Sequence, residues 1–389
     1  MITLRGRSVE YNEAAIAQGS RVLRLSNDRR RPAPLKAREG YIHSYGDLPA
    51  GFGWYVLKSA EYIGRVSQGA SVAILPEEFD YLADGDVVRL EPSRGGLRTL
   101  FRKGTAYNHF MLTERCNNYC LMCSQPPRNV DDGWIVDEVL EALPLIDRGA
   151  GEIGFTGGEP TLLGERFIEL VQASNSHLPN TALHILSNGR LFAKGTLARD
   201  LAAVRHHDLM MGIPIYADLP HIHDHVVQAD GAFDETIRGI LALKQHGVRV
   251  EVRVVLQHQT VPRLTALARF LARNLLFVDH VALMGLELTG FARANLDRIW
   301  IDPADYQSEL VEAVGILDRA GMNVSIYNSQ LCVLDRSLRH FARRSISDWK
   351  NEYMPECEGC DAKAACGGFF SSAKLRYSRA ISPILEPQV

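Results

Sequence analysis

The chain lacks an apolar run long enough to span a bilayer. Its opening stretch, MITLRGRSVEYNEA, lacks the apolar core of a secretory signal. Net charge is slight, since 43 Lys and Arg against 46 Asp and Glu leave −3. That balance argues against a nucleic-acid-binding or lipid-binding surface. No internal repeat or low-complexity tract stands out. Residues 1–106 contain no cysteine, and the chain has 7, an odd number. A secreted disulfide framework would scatter an even set. These absences favour a chain working in a reducing cytoplasm, with no nucleic acid and no membrane as partner.

What is present is ordinary in bulk, with 46% hydrophobic and 23% charged residues. At 389 residues there is room for one large domain and one or two small ones. The cysteines fall into two groups: Cys116, Cys120 and Cys123, and then Cys332, Cys357, Cys360 and Cys366. Two groups without an export signal read as metal ligands. The first group has C-x3-C-x2-C spacing just after the apolar run Phe110-Met111-Leu112. Such a loop can wrap one iron–sulfur cluster. A [4Fe–4S] cube takes four ligands, so three thiolates leave one iron open to bind and activate a small molecule. A zinc site or plain core cysteines are the other readings.

In residues 1–106, Val87-Val88-Arg89-Leu90 follows Gly85-Asp86, and Arg98–Arg102 follows Gly95-Gly96. Short strands with turn chemistry between them predict a β-rich domain, a barrel being one form. Arg29, Arg30, Arg31 and Arg38 could bind an acidic ligand, but a solvated loop is the plainer reading. From Asn108 strands and helices alternate. Strands are expected at 108–113, 151–156, 182–187, 209–216, 249–256, 278–286 and, shorter, 323–327. Helices are expected at 135–148 with a bend at Pro144, then 165–176, 193–204, 233–246, 261–274 and 303–320. The fold class is therefore α/β, a partial (β/α)6 barrel with a β-rich N-terminal domain and a cysteine-rich C-terminal cap. The expected boundaries are 1–106, 107–327 and 328–389. In barrels of this kind the chemistry sits at the C-terminal ends of the strands, where the cysteine loop falls.

Several stretches could serve such a site. Gly157-Gly158-Glu159 follows the second strand and sets a carboxylate beside a backbone that can come close to a ligand. Ser187-Asn188-Gly189 ends the third strand as a turn. In the fifth strand Arg249, Glu251 and Arg253 share one face and Val250, Val252, Val254 and Leu256 the other. Helices should cover the valines, so the charged face should look into the lumen. There Arg253 needs a partner, either Glu251 or a ligand carboxylate. His221-Ile222-His223-Asp224-His225 has metal-ligand types, though a substrate or structural loop is favoured. No acid or base stands out as catalytic beyond the cysteines.

The cysteine loop, with Gly157-Gly158-Glu159 at its distance, resembles the signature of the radical S-adenosylmethionine (radical SAM) superfamily. Met122 stands where that family commonly has an aromatic residue, and Tyr119 precedes the second cysteine. The resemblance implies a [4Fe–4S] cluster on Cys116, Cys120 and Cys123 and AdoMet on its open iron. Gly157, Gly158, Glu159, Ser187, Asn188 and Arg253 are the implied AdoMet contacts. Met284–Gly290 loosely resembles a stretch that packs on adenine. The implied reaction is reductive cleavage of AdoMet to a 5′-deoxyadenosyl radical, fed by a reducing electron donor. The C-x2-C-x5-C core of the terminal group resembles part of the SPASM/twitch domains. This implies a second, auxiliary [4Fe–4S] cluster on Cys332, Cys357, Cys360 and Cys366, with a structural zinc site as the alternative.

Three longer strings, Thr113–Pro127, Ser345–Asn351 and Cys366–Phe370, resemble the His-Xaa-Ser system radical SAM maturases of the HxsC type. This implies peptide maturation, with a ribosomally made precursor peptide as substrate and a partner radical SAM maturase. A radical SAM enzyme acting on a nucleoside or cofactor precursor, or a zinc-bound assembly protein, are the alternatives.

Overall fold

The structure is a computed structural model that describes residues 4–43 and 46–385. The ends of the first and last expected segments, 1–3 and 386–389, lie outside the described residues. Contacts divide the chain into two compact units. One is Met1–Phe110 with Gly133–Gly154 and Leu170–Leu183; the other is Met111–Asp132 with Phe155–Glu169 and His184–Val389.

In the first unit, β1 (Arg5–Gly6), β2 (Glu10–Tyr11), α1 (Glu13–Gln18), β3 (Arg21–Ser26), α2 (Ala33–Lys36) and β4 (Gly40–His43) come first. β5 (Trp54–Leu57), β6 (Ser71–Ile74), β7 (Val87–Glu91) and β8 (Gly96–Phe101) follow. They form one mixed sheet in the order β1-β8-β7-β3-β4-β5-β6-β2. Strand β5 shows why it holds. Trp54 and Val56 enter one apolar cluster, with Ile42 and Leu75. Tyr55 and Leu57 enter another, with Tyr41, Phe52 and Val72. Alternate residues of a pleated strand point to opposite faces, so a continuous apolar run is buried on both. Of the arginine run, Arg31 forms a bidentate pair with Glu39 at 2.8 and 2.9 Å.

The alternating region is a curled α/β half-barrel. Its elements are β9 (His109–Met111), α3 (Trp134–Ala142), β10 (Glu152–Thr156), α4 (Glu165–His177), β11 (Ala182–Leu186), α5 (Leu197–Ala203) and β12 (Leu209–Pro214). Then come α6 (Pro220–Val227), α7 (Ala232–Gln245), β13 (Arg249–Val255), α8 (Leu264–Asn274) and β14 (His280–Met284). α9 (Gly290–Ala294), α10 (Leu296–Ile299), α11 (Gln307–Arg319), β15 (Val324–Tyr327) and β16 (Ala342–Arg343) complete it. The strands β9 to β16 lie in strict chain order across one sheet. Those from β12 onward pair in parallel. Val250, Val252 and Val254 of β13 are fully buried. α8 buries Leu264, Leu267, Ala268 and Leu271, and α11 buries Leu310, Ala313, Val314 and Leu317. Both sets have the 3, 4, 7 spacing of a helical stripe.

Three local expectations differ. The helix from 135 stops at Ala142, and Pro144 sits in a 3-10 turn instead of bending a longer helix. Proline has no N–H to continue the ladder. The third helix begins at Leu197 rather than 193, because Gly195 takes a left-handed backbone at φ 70°. The histidine stretch is itself a helix, α6. Among the described residues no helix is long and apolar enough to cross a membrane.

Candidate active site

The cysteine loop leaves the C-terminal end of β9 and is gripped along its length. At its start, Asp132 accepts from the Thr113 hydroxyl at 2.8 Å and the Glu114 N–H at 2.6 Å. Gly158 N donates to Thr113 O at 2.7 Å, and Glu159 N to Arg115 O at 2.8 Å. A Cβ on Gly157, at φ 145°, would meet Thr113 O at 2.5 Å, and one on Gly158 would overlap Arg115 O. The two glycines are thus required by the close approach of two backbones of the protein itself.

Farther along, Tyr119 N donates to Val227 O at 3.0 Å and Leu121 N to Val226 O at 2.9 Å. Leu121 and Met122 are buried in a cluster with Tyr216, Val226, Val227, Ala292 and Ile299, against which Cys120 packs. Tyr119 stays exposed. Phe291 N donates to Cys123 O at 2.8 Å, and the Asn295 amide to Leu121 O at 2.9 Å. Gly290, at φ 54°, lies where a Cβ would be 2.5 Å from the carbonyl oxygens of Cys123 and Ser124. The glycine closing the Met284–Gly290 stretch therefore seats the end of the cysteine loop.

All three thiols are raised above the ordinary thiol range. Burial pushes the Cys116 thiol up to about 11 and also raises Cys120 and Cys123. The charge of Cys123 adds to the rise at both other thiols, and that of Cys116 to the rise at Cys120. Among the described residues they do not form a closed metal-ligand group. Neutral thiols have no charge to draw them together, whereas a metal that takes their protons supplies that attraction. Three sulfur donors on one loop fit an iron–sulfur cluster with one position open.

Glu159 is wholly buried. Its Oε1 accepts from Thr161 N at 3.1 Å, Thr161 Oγ1 at 2.5 Å and Ser187 Oγ at 2.7 Å; its Oε2 accepts from Asn188 N at 2.6 Å. Burial pushes its carboxyl above the usual range, although all four bonds pull the other way. The carboxylate thus ties Gly157-Gly158-Glu159 to Ser187-Asn188. Asn188 Nδ2 donates to Asn117 Oδ1 at 2.6 Å, inside the cysteine loop. Arg190, which the sequence reading missed, donates to Asn117 O and Asn118 Oδ1 at 2.6 Å each. Its signal was its place directly after Ser-Asn-Gly, and Asp132 offered none of comparable clarity.

Arg253 pairs with Glu251 at 2.5 Å. Glu251 also receives His280 Nδ1 at 2.7 Å and lies 3.5 Å from His184 Nε2. Burial would raise its carboxyl, yet the two histidines and Arg253 hold it far below the usual range. The charged face of β13 accordingly builds a polar row with its neighbours. In α6, Asp224 caps α7 by accepting from Gly231 N at 2.7 Å and Phe233 N at 2.8 Å. His223 is buried, accepts from Tyr216 N at 3.2 Å and stacks on that ring. Both have structural roles. In the terminal group, burial raises the Cys332 and Cys357 thiols, and the charge of Cys366 adds to both. Cys360 adds to the rise at Cys357. This donor set suits a cluster or a zinc ion equally.

No curated protein matches the chain. Among solved structures, Streptococcus suis SuiB aligns at 17% identity over 59% of this chain and 50% of its own, with a TM-score of 0.46. Native anSMEcpe with bound AdoMet aligns at 18% identity over 57% of this chain and 63% of its own, with a TM-score of 0.46. The chain thus spans only half the length of SuiB. Residues 110–271 match the family model of the radical SAM superfamily. They include Cys116, Cys120, Cys123, Glu159 and Asn188, so this chain carries a radical SAM domain.

Proposed function

We propose that the protein is a radical SAM enzyme that matures a ribosomally made precursor peptide bearing His-Xaa-Ser repeats, as an HxsC-type maturase would. One observation carries the peptide reading. The strings Ser345–Asn351 and Cys366–Phe370, which resemble that family, meet in space. β17 (Asn351–Glu352) runs antiparallel to β18 (Phe369–Phe370), with Asn351 opposite Phe370. Asn351 Nδ2 donates to Gly367 O at 2.6 Å. Lys350 donates to both carboxylate oxygens of Glu287 at 3.0 and 3.2 Å and lies over the Phe370 ring at 4.9 Å. The two strings thus make one folded unit around Cys366, past the end of β14. This supports a specialised C-terminal region in place of a chance likeness.

When bound and reduced, the [4Fe–4S] cluster with AdoMet supplies a 5′-deoxyadenosyl radical able to take hydrogen from an unactivated C–H bond. Cys116, Cys120 and Cys123 would hold the cluster. Glu159, Ser187 and Asn188 frame the loop beside it, and Leu121 and Met122 seal it against water from the core side. Cys332, Cys357, Cys360 and Cys366 would hold the auxiliary cluster. In this reading 1–106 receives the precursor, 107–327 is the catalytic barrel and 328–389 the auxiliary-cluster region. A reducing electron donor and a second radical SAM maturase are the expected partners, in the cytoplasm.

The test begins with iron and sulfide content of anaerobically prepared protein beside a Cys116/Cys120/Cys123→Ala triple variant. Roughly eight irons in the wild type and about four in the variant support two clusters. About four falling to none removes the auxiliary cluster. Zinc in place of iron would sink the radical reading. Incubation with AdoMet, reductant and a His-Xaa-Ser peptide should then give peptide-dependent 5′-deoxyadenosine and a mass change in the peptide. If 5′-deoxyadenosine forms at the same rate without peptide and no mass changes, the peptide reading is wrong.

A further inference from the structure

Between the first and second cysteines of the loop lie Asn117 and Asn118. Here the backbone carbonyl of Asn117 and the side-chain oxygen of Asn118, itself buried, turn toward one point. Two oxygens converging away from water repel unless a donor stands between them. Arg190 is that donor, with Nη1 2.6 Å from each. Its side chain is only 14% exposed, and its Nε donates to Glu235 Oε2 at 2.8 Å. Glu235 opens α7, a helix otherwise anchored by buried Phe233, Thr236 and Ile240. Thr236 in turn donates to Asn188 O at 3.0 Å. The guanidinium therefore spans from a fixed helix to the cysteine loop. A lysine would keep the charge but not the fork that reaches three acceptors at once.

The far end of this chain of contacts is sulfur. The N–H of Asn118 points at Cys116 Sγ, with nitrogen 3.4 Å away. Hydrogen bonds to ligand sulfur are among the features that set an iron–sulfur potential, and outer partners orient the ligands themselves. The geometry points to Arg190 as a positioning residue of the cluster loop: held by Glu235, it fixes Asn117-Asn118 so that the Asn118 N–H is presented to Cys116 sulfur. The inference rests on the reading that Cys116, Cys120 and Cys123 hold a cluster. It concerns a residue that acts through its contacts to Asn117, Asn118 and Glu235.

Full-length wild type, Arg190→Gln, Arg190→Lys and Glu235→Gln are compared in two states. In metal-free protein, the rate at which iodoacetamide alkylates Cys116 is read against that of Cys123. Arg190→Gln and Arg190→Lys should lower the Cys116 rate several-fold relative to Cys123, because the reacting thiolate loses the Asn118 N–H that faces it, with Glu235→Gln between them and the wild type. In anaerobically reconstituted protein, Arg190→Gln should lose iron to a chelator several-fold faster and shift the midpoint potential to a more negative value. Arg190→Lys should follow it and should not rescue. An unchanged Cys116/Cys123 ratio in Arg190→Gln, or full rescue by lysine, would overturn the inference. Should the Arg190 variants fail to fold, Glu235→Gln decides alone, and wild-type behaviour there also overturns it. A wild type that takes up no iron defeats the cluster reading, while the metal-free alkylation ratio still judges Arg190.

Discussion

Replacing Glu159 with Gln separates two roles for this carboxylate: a ligand for AdoMet, or a strut inside the protein. Both carboxylate oxygens accept from a backbone N–H, Oε1 from Thr161 and Oε2 from Asn188. A glutamine offers one oxygen and one NH2 group. Whichever way the amide is turned, a buried backbone N–H faces another donor. Losing one such bond and leaving its donor unpaired costs about 3 kcal/mol. Because the chain has two compact units, a single unfolding transition is a poor gauge. Hydrogen exchange at the Asn188 and Thr161 amides, in metal-free protein without AdoMet, reads the change locally. A loss of about 3 kcal/mol makes their exchange roughly a hundredfold faster when opening is a fast pre-equilibrium. The reasoning is refuted if the metal-free variant exchanges within about twofold of wild type while AdoMet binding alone is lost. Glu159 would then act mainly as a ligand.

Gly290→Ala should loosen the end of the cysteine loop, at a cost of about 1–3 kcal/mol, and speed iron loss to a chelator. Gly321→Ala, at φ 75° with nothing within 4 Å of its Cβ, is the control for left-handed strain alone, and equal iron retention in the two variants would refute the clash. His223 has its imidazole pushed down to about 4 from 6.5 by burial, which outweighs the opposing charge of Asp224 and is aided by Arg190. The fold favours its neutral form, so its contribution is full above 6.5 and is lost as pH falls toward 4. That shift amounts to about 3 kcal/mol. An NMR titration giving His223 an ordinary value, or an acid stability profile unchanged by His223→Gln, would contradict it. The Gln257 side chain is fully buried, and neither its amide nitrogen nor its amide oxygen has a hydrogen-bond partner. Gln257→Met should therefore stabilise this segment of the metal-free protein by about 1–2 kcal/mol, and faster hydrogen exchange at the Thr260 and Val261 amides, which donate to Gln257 O, would show that the side-chain amide is paired.

Residue order by itself determined the α/β class and the place of the cysteine loop. Alternation in Arg249–Leu256 and helical spacing in 264–274 are local patterns, and burial follows them directly. Three cysteines within eight residues are neighbours whatever the rest of the chain does. The same locality explains why Gly157-Gly158-Glu159 and Ser187-Asn188-Gly189 could be picked out as turns after strands.

Only the tertiary structure decided what those turns touch. The glycine pair lies against the backbone of Thr113–Arg115, where a Cβ on either glycine would clash, and no local pattern announces that approach. The carboxylate of Glu159 divides its oxygens between Thr161, two residues on, and a turn 28 residues away. Arg253 had two candidate partners, and the fold brings Glu251 to it from two positions along the same strand. Asp132, Arg190 and Gly290 hold the cysteine loop from three separate elements, and no spacing rule links them to it. Their roles depend on which strands lie side by side and how closely two backbones pass. Long-range packing sets those distances, while a linear pattern records only neighbours along the chain.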